Sequence, residues 1–335
     1  LSLILCCLIL VPIVHIRSGA VYAAATTSEI LMETSSGRVL YENNADEARP
    51  MASTTKILTA LIAAECCNPD DVVTIPKSCV GVEGSSVYLE EGEKLTVKEL
   101  LYGLMLRSGN DCAATLAVRV SGSIKKFAEK MNQTAMRAGA LHTRFKNPHG
   151  LPEKGHYTTA RDLSMITALA LENKTFAKIV NTRRYEPKNW TNKNKMLAEY
   201  DGAFGVKTGY TKQAGRCLVS AAERNGMSLI CTALNCSDTY GESKKLLDDA
   251  FAAYDLSLLQ AAESPVPLDT KAGKISAKTG KDLRYPLLSA ELPYVKKTTI
   301  AFDSPQKDGN GREIYGQLRI YLANSLLFSE NLFKL

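Results

Sequence analysis

Residues 51–65 read MASTTKILTALIAAE. From Thr54 onward apolar side chains occupy nearly every side of a helical period, the pattern of a helix enclosed by core. At its start stands Ser53, and Lys56 lies one turn further on, facing the same side. A serine hydroxyl is a weak nucleophile until a neighbouring base removes its proton, and an amine at that spacing reaches it. A helix N-terminus also favours the negative charge that develops on such an oxygen.

Upstream, SEILMET (28–34) and GRVLYE (37–42) alternate around Ser35-Ser36-Gly37, which predicts a β-hairpin. Downstream, Thr96-Val97-Lys98-Glu99 is a capping box that opens the amphipathic helix LLYGLMLRSG (100–109). Residues 123–138 place Ile124, Phe127 and Met131 on one helical face, with Gly139 as the stop. A further helix opens at Thr159-Ala160-Arg161-Asp162, and residues 240–254 form another. Between them AFGVKTGY (203–210), GRCLVSAAE (215–223) and MSLICTALN (227–235) read as strands. A hairpin first, helices in the middle and strands last predict one sheet assembled from both ends and flanked by helices, an α+β architecture.

Around residues 261–272 two prolines and a lack of periodicity read as a linker. Beyond it LLSAELPYV (287–295), TTIAFDS (298–304) and GQLRIYLANSLLF (316–328) predict short strands of a small all-β domain. The expected division is a leader at 1–25, a main domain at 26–260, and a linker with a β-rich domain at 261–335.

Composition narrows the class. With 45% hydrophobic and 23% charged residues over 335 positions, the chain is an ordinary globular protein with material for a large core and a smaller one. A net charge of +6 without a long Lys/Arg run reads as a solvated surface, or as attraction to an anionic envelope polymer; no nucleic-acid motif is present. The first 16 residues are almost wholly apolar and precede Arg17 and Ala23-Ala24-Ala25, which predicts an export signal with a small-residue cleavage site. Lacking an initiator Met and a basic lead, the start reads as clipped, and an uncleaved anchor is the alternative. Seven cysteines lie beyond the leader at irregular spacing, so neither a disulfide framework nor a metal site is assigned. His142, His149 and His156 fall seven apart, but Pro148 and Pro152 break any helix that would carry all three.

Three short motifs carry the chemistry. S-x-x-K occurs at Ser53–Lys56, Ser123–Lys126 and Ser304–Lys307; S-x-N at Ser108–Asn110 and Ser329–Asn331; K-T-G at Lys207–Gly209 and Lys278–Gly280. Requiring the order S-x-x-K, S-x-N, K-T-G eliminates Ser329, after which no K-T-G follows, and leaves Ser108 as the middle motif. Only Ser53 precedes it. Of the two lysines, Lys207 lies between apolar runs as a strand does, whereas Lys278 follows the proline-rich stretch among other charges, so Lys207 is preferred. Each motif alone also has an ordinary reading: Ser53 as a helix cap, Ser108-Gly109-Asn110 as a helix-ending turn, Lys207-Thr208-Gly209 as a strand end. In the functional reading Ser53 is the nucleophile and Lys56 its base, with the pKa of Lys56 lowered by burial and by Lys207. Ser108 relays a proton to the leaving amine, and Asn110 orients substrate or lysine.

MASTTKILTALIAAE (51–65), LMLRSGNDCAATLA (104–117), FKNPHGLPEKGHYTTARDL (145–163) and GVKTGYTKQAGRCLVSAA (205–222) together resemble the signature blocks of the serine-type D-Ala-D-Ala carboxypeptidases, the low-molecular-mass penicillin-binding proteins of peptidase family S11. The likeness runs from about residue 28 to 255. It implies a β-lactamase/transpeptidase-like catalytic domain and removal of the terminal D-Ala from peptidoglycan stem peptides through an acyl-enzyme on Ser53. It further implies acylation by penicillins, substrate binding by Lys207, Thr208 and Gly209, and an oxyanion hole from the backbone N–H groups of Ser53 and Tyr210. No cofactor or metal is called for. The expected protein is an exported monomer acting at the cell wall or the outer face of the membrane, compatible with membrane-surface association. His149 belongs to the NPHGL block, which implies a supporting role.

Two departures stand out. Family members commonly carry a substrate-holding arginine shortly before the helix that here begins ESKKLL, where this chain has Ser237-Asp238-Thr239-Tyr240. Many members also end in an amphipathic anchor helix, for which this sequence leaves too little room after its last predicted strand, so the expectation is either a truncated C-terminus or a protein held otherwise. The alternatives are a D,D-endopeptidase, a β-lactamase and a weakly active wall-binding scaffold. The β-lactamase reading wants a dedicated carboxylate base, for which the loop after the middle motif offers only Glu153.

Overall fold

The computed structural model describes residues 27–335; the leader expected at 1–25 lies outside them. The hairpin forms as expected: β1 (Ser28–Glu33) pairs antiparallel with β2 (Val39–Asn43). Three further strands, β3 (Ala203–Thr211), β4 (Gly215–Arg224) and β5 (Met227–Leu234), complete an antiparallel sheet in the order β2-β1-β5-β4-β3. The strands from the two ends meet where β1 pairs with β5, and β3 is left as an edge.

Both faces of this sheet are covered, so its central strands are apolar on both sides. Ile30, Cys217, Val219 and Ile230 point into the larger core, shared with α1 (Lys56–Cys66), α2 (Val97–Leu106), α3 (Asn110–Ser121), α4 (Ile124–Arg137), α5 (Ala160–Glu172) and α6 (Lys174–Val180). Leu31, Leu218, Leu229 and Cys231 point the other way, toward Leu246 and Leu247 of the helix Thr239–Ala253. Helix α1 has both faces in core, with Lys56 through Ala63 all buried. The capping box at Thr96 is present with Glu99 as its acid, and Thr159 caps α5 by accepting the Asp162 N–H. Gly139, at φ 77, ends α4 as expected. The seven described cysteines carry free thiols.

The C-terminal, sheet-rich domain corrects two expectations. Residues read as a linker include a strand, Val266–Thr270, which pairs with Gly273–Thr279 and belongs to the second sheet. Its alternation is real: Val266 and Leu268 are buried while Pro267 and Asp269 are exposed, and the prolines masked it. The stretch 287–295 is the end of the strand Leu283–Leu288 followed by a 3₁₀ turn, Ser289–Tyr294, with Pro293 inside the turn. The last three strands, Val295–Lys307, Glu313–Leu322 and Ser325–Lys334, pair in sequence beside the first two. Among the described residues no helix is long and apolar enough to cross a membrane.

Arg38, in the β1–β2 turn, bolts the two domains together. Its guanidinium lies 5.2 Å from the ring centres of both Tyr254 and Tyr285 and forms a bidentate pair with Glu291, at 2.6 and 3.0 Å, while also donating to the Pro286 carbonyl. Fork and stacking geometry of this kind suits arginine and not lysine. Arg38→Ala is expected to destabilise the molecule by about 1–3 kcal/mol and to separate the melting of the two domains. A single unshifted calorimetric transition would contradict this.

Candidate active site

Ser53 does not open α1 directly. It sits in a 3₁₀ turn, Ala52–Thr55, that leads into the helix, and no side chain caps that turn. Ala52 holds φ 48 and Ser108 holds φ 65, left-handed conformations that non-glycine residues adopt at a cost of about 1–3 kcal/mol and that cluster at functional sites. One stands immediately before the expected nucleophile, the other in the S-x-N motif. The helix-cap reading of Ser53 therefore does not describe this structure.

The ammonium-bearing side chain of Lys56 is completely buried. Its Nζ lies 2.9 Å from Ser53 Oγ, 2.6 Å from Asn110 Oδ1 and 2.6 Å from the His149 carbonyl. The orientation of the Asn110 amide is set by its Nδ2, which donates to the Glu83 carbonyl. Asn110 Oδ1 and the His149 carbonyl can only accept. A neutral amine has two N–H groups and one lone pair, so with both N–H groups so engaged the lone pair faces Ser53 Oγ. Burial, and next the charge of Lys207, hold the Lys56 pKa well below its ordinary value, which keeps the amine available as a base.

Lys207 and Gly209 share the face of β3 that looks toward α1, since they pair with Val219 and Cys217 of the larger core. Lys207 is buried, donates to the Thr208 carbonyl at 2.9 Å, and is pushed down to about 7, first by burial and then by Lys193. At Gly209 a Cβ would stand 3.1 Å from Ser53 N and from the Met51 carbonyl oxygen, so a larger residue there would require β3 or the Ser53 turn to give way slightly. Thr208 and Tyr210 alternate to the opposite face. The S-x-x-K, S-x-N and K-T-G residues chosen from the sequence thus converge. Their decoys do not: Ser123 caps α4 by accepting the Lys126 N–H, and Lys278 pairs with Glu263 in the C-terminal sheet.

The NPHGL block acts through its backbone. Asn147 Oδ1 accepts the Gly150 N–H at 2.8 Å and curls the loop so that His149 offers its carbonyl to Lys56 and Pro148 offers its own to Thr59. His156 Nδ1 accepts the Lys146 N–H, which leaves Nε2 protonated and donating to Thr55 Oγ1 at 2.9 Å. Burial lowers His156 to about 4, so it stays neutral and braces the turn behind Ser53.

Sequence reasoning missed two residues. Asp111, fully buried beside Asn110, gathers the loop that precedes α2; an acid in the first turn of α3 was the available signal. Lys193 belongs to no motif, yet it depresses both Lys207 and Lys56 and its N–H donates to the Leu106 carbonyl close to Ser108.

The pattern that defines the D-alanyl-D-alanine carboxypeptidase family, peptidase S11, matches residues 16–238. The chain belongs to that family. It is 34% identical over 279 residues to a D-alanyl-D-alanine carboxypeptidase of Bacillus subtilis, covering 79% of this chain and 70% of that one. It is 38% identical over 247 residues to the D-alanyl-D-alanine carboxypeptidase of Streptomyces strain K15, covering 64% and 85%. Among solved structures, penicillin binding protein 5 from Haemophilus influenzae superposes with a TM-score of 0.79 at 26% identity, covering 92% of this chain and 96% of that one. The family's fold and this one agree.

Proposed function

We infer that this chain is a serine D-Ala-D-Ala carboxypeptidase acting on peptidoglycan peptides outside the cytoplasm, as its family does, and that β-lactams acylate it. The observation that carries the reading is the Lys56 amine, buried and held by two acceptors, 2.9 Å from the Ser53 hydroxyl. Ser53 Oγ gives its proton to Lys56 and attacks the carbonyl of the penultimate D-Ala. The oxyanion is held by the N–H groups of Ser53 and Tyr210. Ser108 relays the proton held by Lys56 to the departing D-Ala amine as the C–N bond breaks, which returns Lys56 to its neutral form. Water then hydrolyses the ester, with Lys56 again the base. Lys207, Thr208 and Gly209 line the substrate along the β3 edge. The protein works as an exported monomer.

The test uses a D-Ala-D-Ala-ended peptide and a labelled penicillin. The wild type releases D-Ala and takes up label on the peptide containing Ser53; Ser53→Ala does neither. An unlabelled wild type, or equal D-Ala release by the variant, overturns the assignment. Rapid penicillin turnover points to a β-lactamase instead.

Arg216 takes the place of the missing arginine in this reading. It lies directly opposite Tyr210 in the β3–β4 register, and its Nη1 donates to the Ser237 carbonyl at 3.3 Å, within the very segment where relatives commonly carry arginine. A guanidinium exposed there is free to pair with the substrate's terminal carboxylate. Arg216→Ala is expected to lower kcat/KM for the peptide by about tenfold or more, mostly through KM, with melting unchanged. An unaltered KM would remove Arg216 from the site.

A further inference from the structure

The amide of Asn110 can face Lys56 in two ways, and only one of them suits a base. With Oδ1 toward the amine it takes one N–H of Lys56 at 2.6 Å and leaves the lone pair to Ser53. Rotated by half a turn, its NH2 group would donate to that lone pair and draw it away from the serine hydroxyl. What holds the amide in the first orientation lies outside the three motifs, in the loop at residues 83–89, EGSSVYL.

This loop crosses Asn110 closely. The Glu83 carbonyl accepts from Asn110 Nδ2, the Ser85 carbonyl accepts from the Asn110 N–H at 2.7 Å, and a Cβ at Gly84 would stand 2.9 Å from Nδ2. Glu83, Gly84 and Ser85 are exposed, so burial does not hold those carbonyls in place. The next residue in the chain, Asp111, supplies the other half of a clamp. Its carboxylate is fully buried and accepts from Ser86 Oγ, from the N–H groups of Val87 and Leu89, both at 3.1 Å, and from the Cys112 N–H at 2.9 Å. Among the described residues no cation pairs with it. A buried carboxylate without a counter-ion is costly unless donors surround it. Three of its four donors come from the loop, so the loop cannot lift without leaving that carboxylate unsatisfied. The same bonds offset the strain at Tyr88, which stands between the two loop N–H donors at φ 63.

We propose that Asp111 is a positioning residue for acylation: it clamps the 83–89 loop over Asn110, and the clamped loop fixes the Asn110 amide so that the Lys56 lone pair stays on Ser53. The inference rests on the reading of Ser53 and Lys56 as nucleophile and base. Asp111 makes no bond to either of them and acts on the geometry through Asn110.

The test follows acylation of Ser53 by labelled penicillin across pH in Asp111→Asn and Ser86→Ala, each alone and combined with Asn110→Ala. Asp111→Asn keeps the size of the side chain but turns an NH2 group toward the loop's donors, and is expected to lower the plateau rate by about 10²-fold. Ser86→Ala removes one donor and is expected to lower it by about fivefold. In the Asn110→Ala background neither change costs more than about a further twofold, because the group they orient is already gone. The pH limb separates positioning from general loosening. Lys207 of β3 and Lys193 disfavour the Lys56 ammonium and Asp111 favours it, while burial keeps the Cys112 thiol and the His149 ring neutral. Asp111→Asn therefore moves the acid limb of acylation to lower pH. A loosened site would admit water, relieve the burial that depresses Lys56 and move the limb to higher pH. Losses that multiply in the double variants, or an acid limb moved upward by Asp111→Asn, overturn the proposal. Should Asp111→Asn not fold, Ser86→Ala decides: no loss on its own, or the same loss with Asn110 removed, overturns it. Absence of penicillin label on wild type overturns instead the reading of Ser53 and Lys56 on which it rests.

Discussion

Lys56→Met is expected to slow acylation of Ser53 by penicillin by about 10³-fold or more while leaving the fold intact. Methionine fills nearly the same volume but has no lone pair to take the Ser53 proton. The variant leaves Asn110 Oδ1 and the His149 carbonyl without their donor, a cost of about 1–3 kcal/mol each, but it also removes a buried amine whose depressed pKa marks unfavourable desolvation. These terms oppose one another, so melting stays near that of the wild type and the kinetic loss is chemical. Acylation within tenfold of wild type would exclude Lys56 as the base.

The pH dependence gives the same assignment a second handle. A lysine base works only when neutral, so acylation rises as pH passes upward through the Lys56 pKa. Lys207 lowers that pKa by repulsion, second only to burial. Lys207→Ala must therefore move the acid limb of acylation to higher pH, whatever it does to the maximum rate. Movement to lower pH would mean that the titrating group is not Lys56.

Gly150→Ala is the larger structural effect. At φ 89 the added Cβ would stand 1.8 Å from the Ala52 carbonyl oxygen and 2.9 Å from Thr55 Oγ1. Neither neighbour is the loose end of a flexible side chain. Either the turn carrying Ser53 moves, or the loop carrying the His149 carbonyl does. The expected result is a stability loss of about 3 kcal/mol or more, together with a fall in acylation of at least about 10²-fold. Gly37→Ala is the control: it shares a positive φ of 68 but meets nothing within 4 Å, so it costs only the left-handed penalty of about 1–2 kcal/mol and leaves the site untouched. Equal behaviour of the two variants would refute the close-approach argument.

Much of this was legible without coordinates because the decisive signals are local. Period-2 and period-3.6 alternation placed the strands and helices of the main domain, and the capping box at Thr96–Glu99 and the stop at Gly139 are backbone requirements that only certain side chains meet. The order of three motifs singled out Ser53 and Ser108 among their decoys, and the apolar runs around Lys207 favoured it over Lys278. Where local signals conflicted, the reading failed: Pro265 and Pro267 hid the alternation of the strand at 266–270.

What the chain by itself determined is which residues exist to react and in what order they occur along it. Tertiary structure decided how they meet. Asn110 lies 54 residues from Lys56 and the His149 carbonyl 93, and no periodicity reports a contact across such distances. The lowered pKa of Lys56 and the acceptors that aim its lone pair arise from burial and from neighbours brought by the fold. Those are properties of packed space, and a sequence lists only neighbours along the chain.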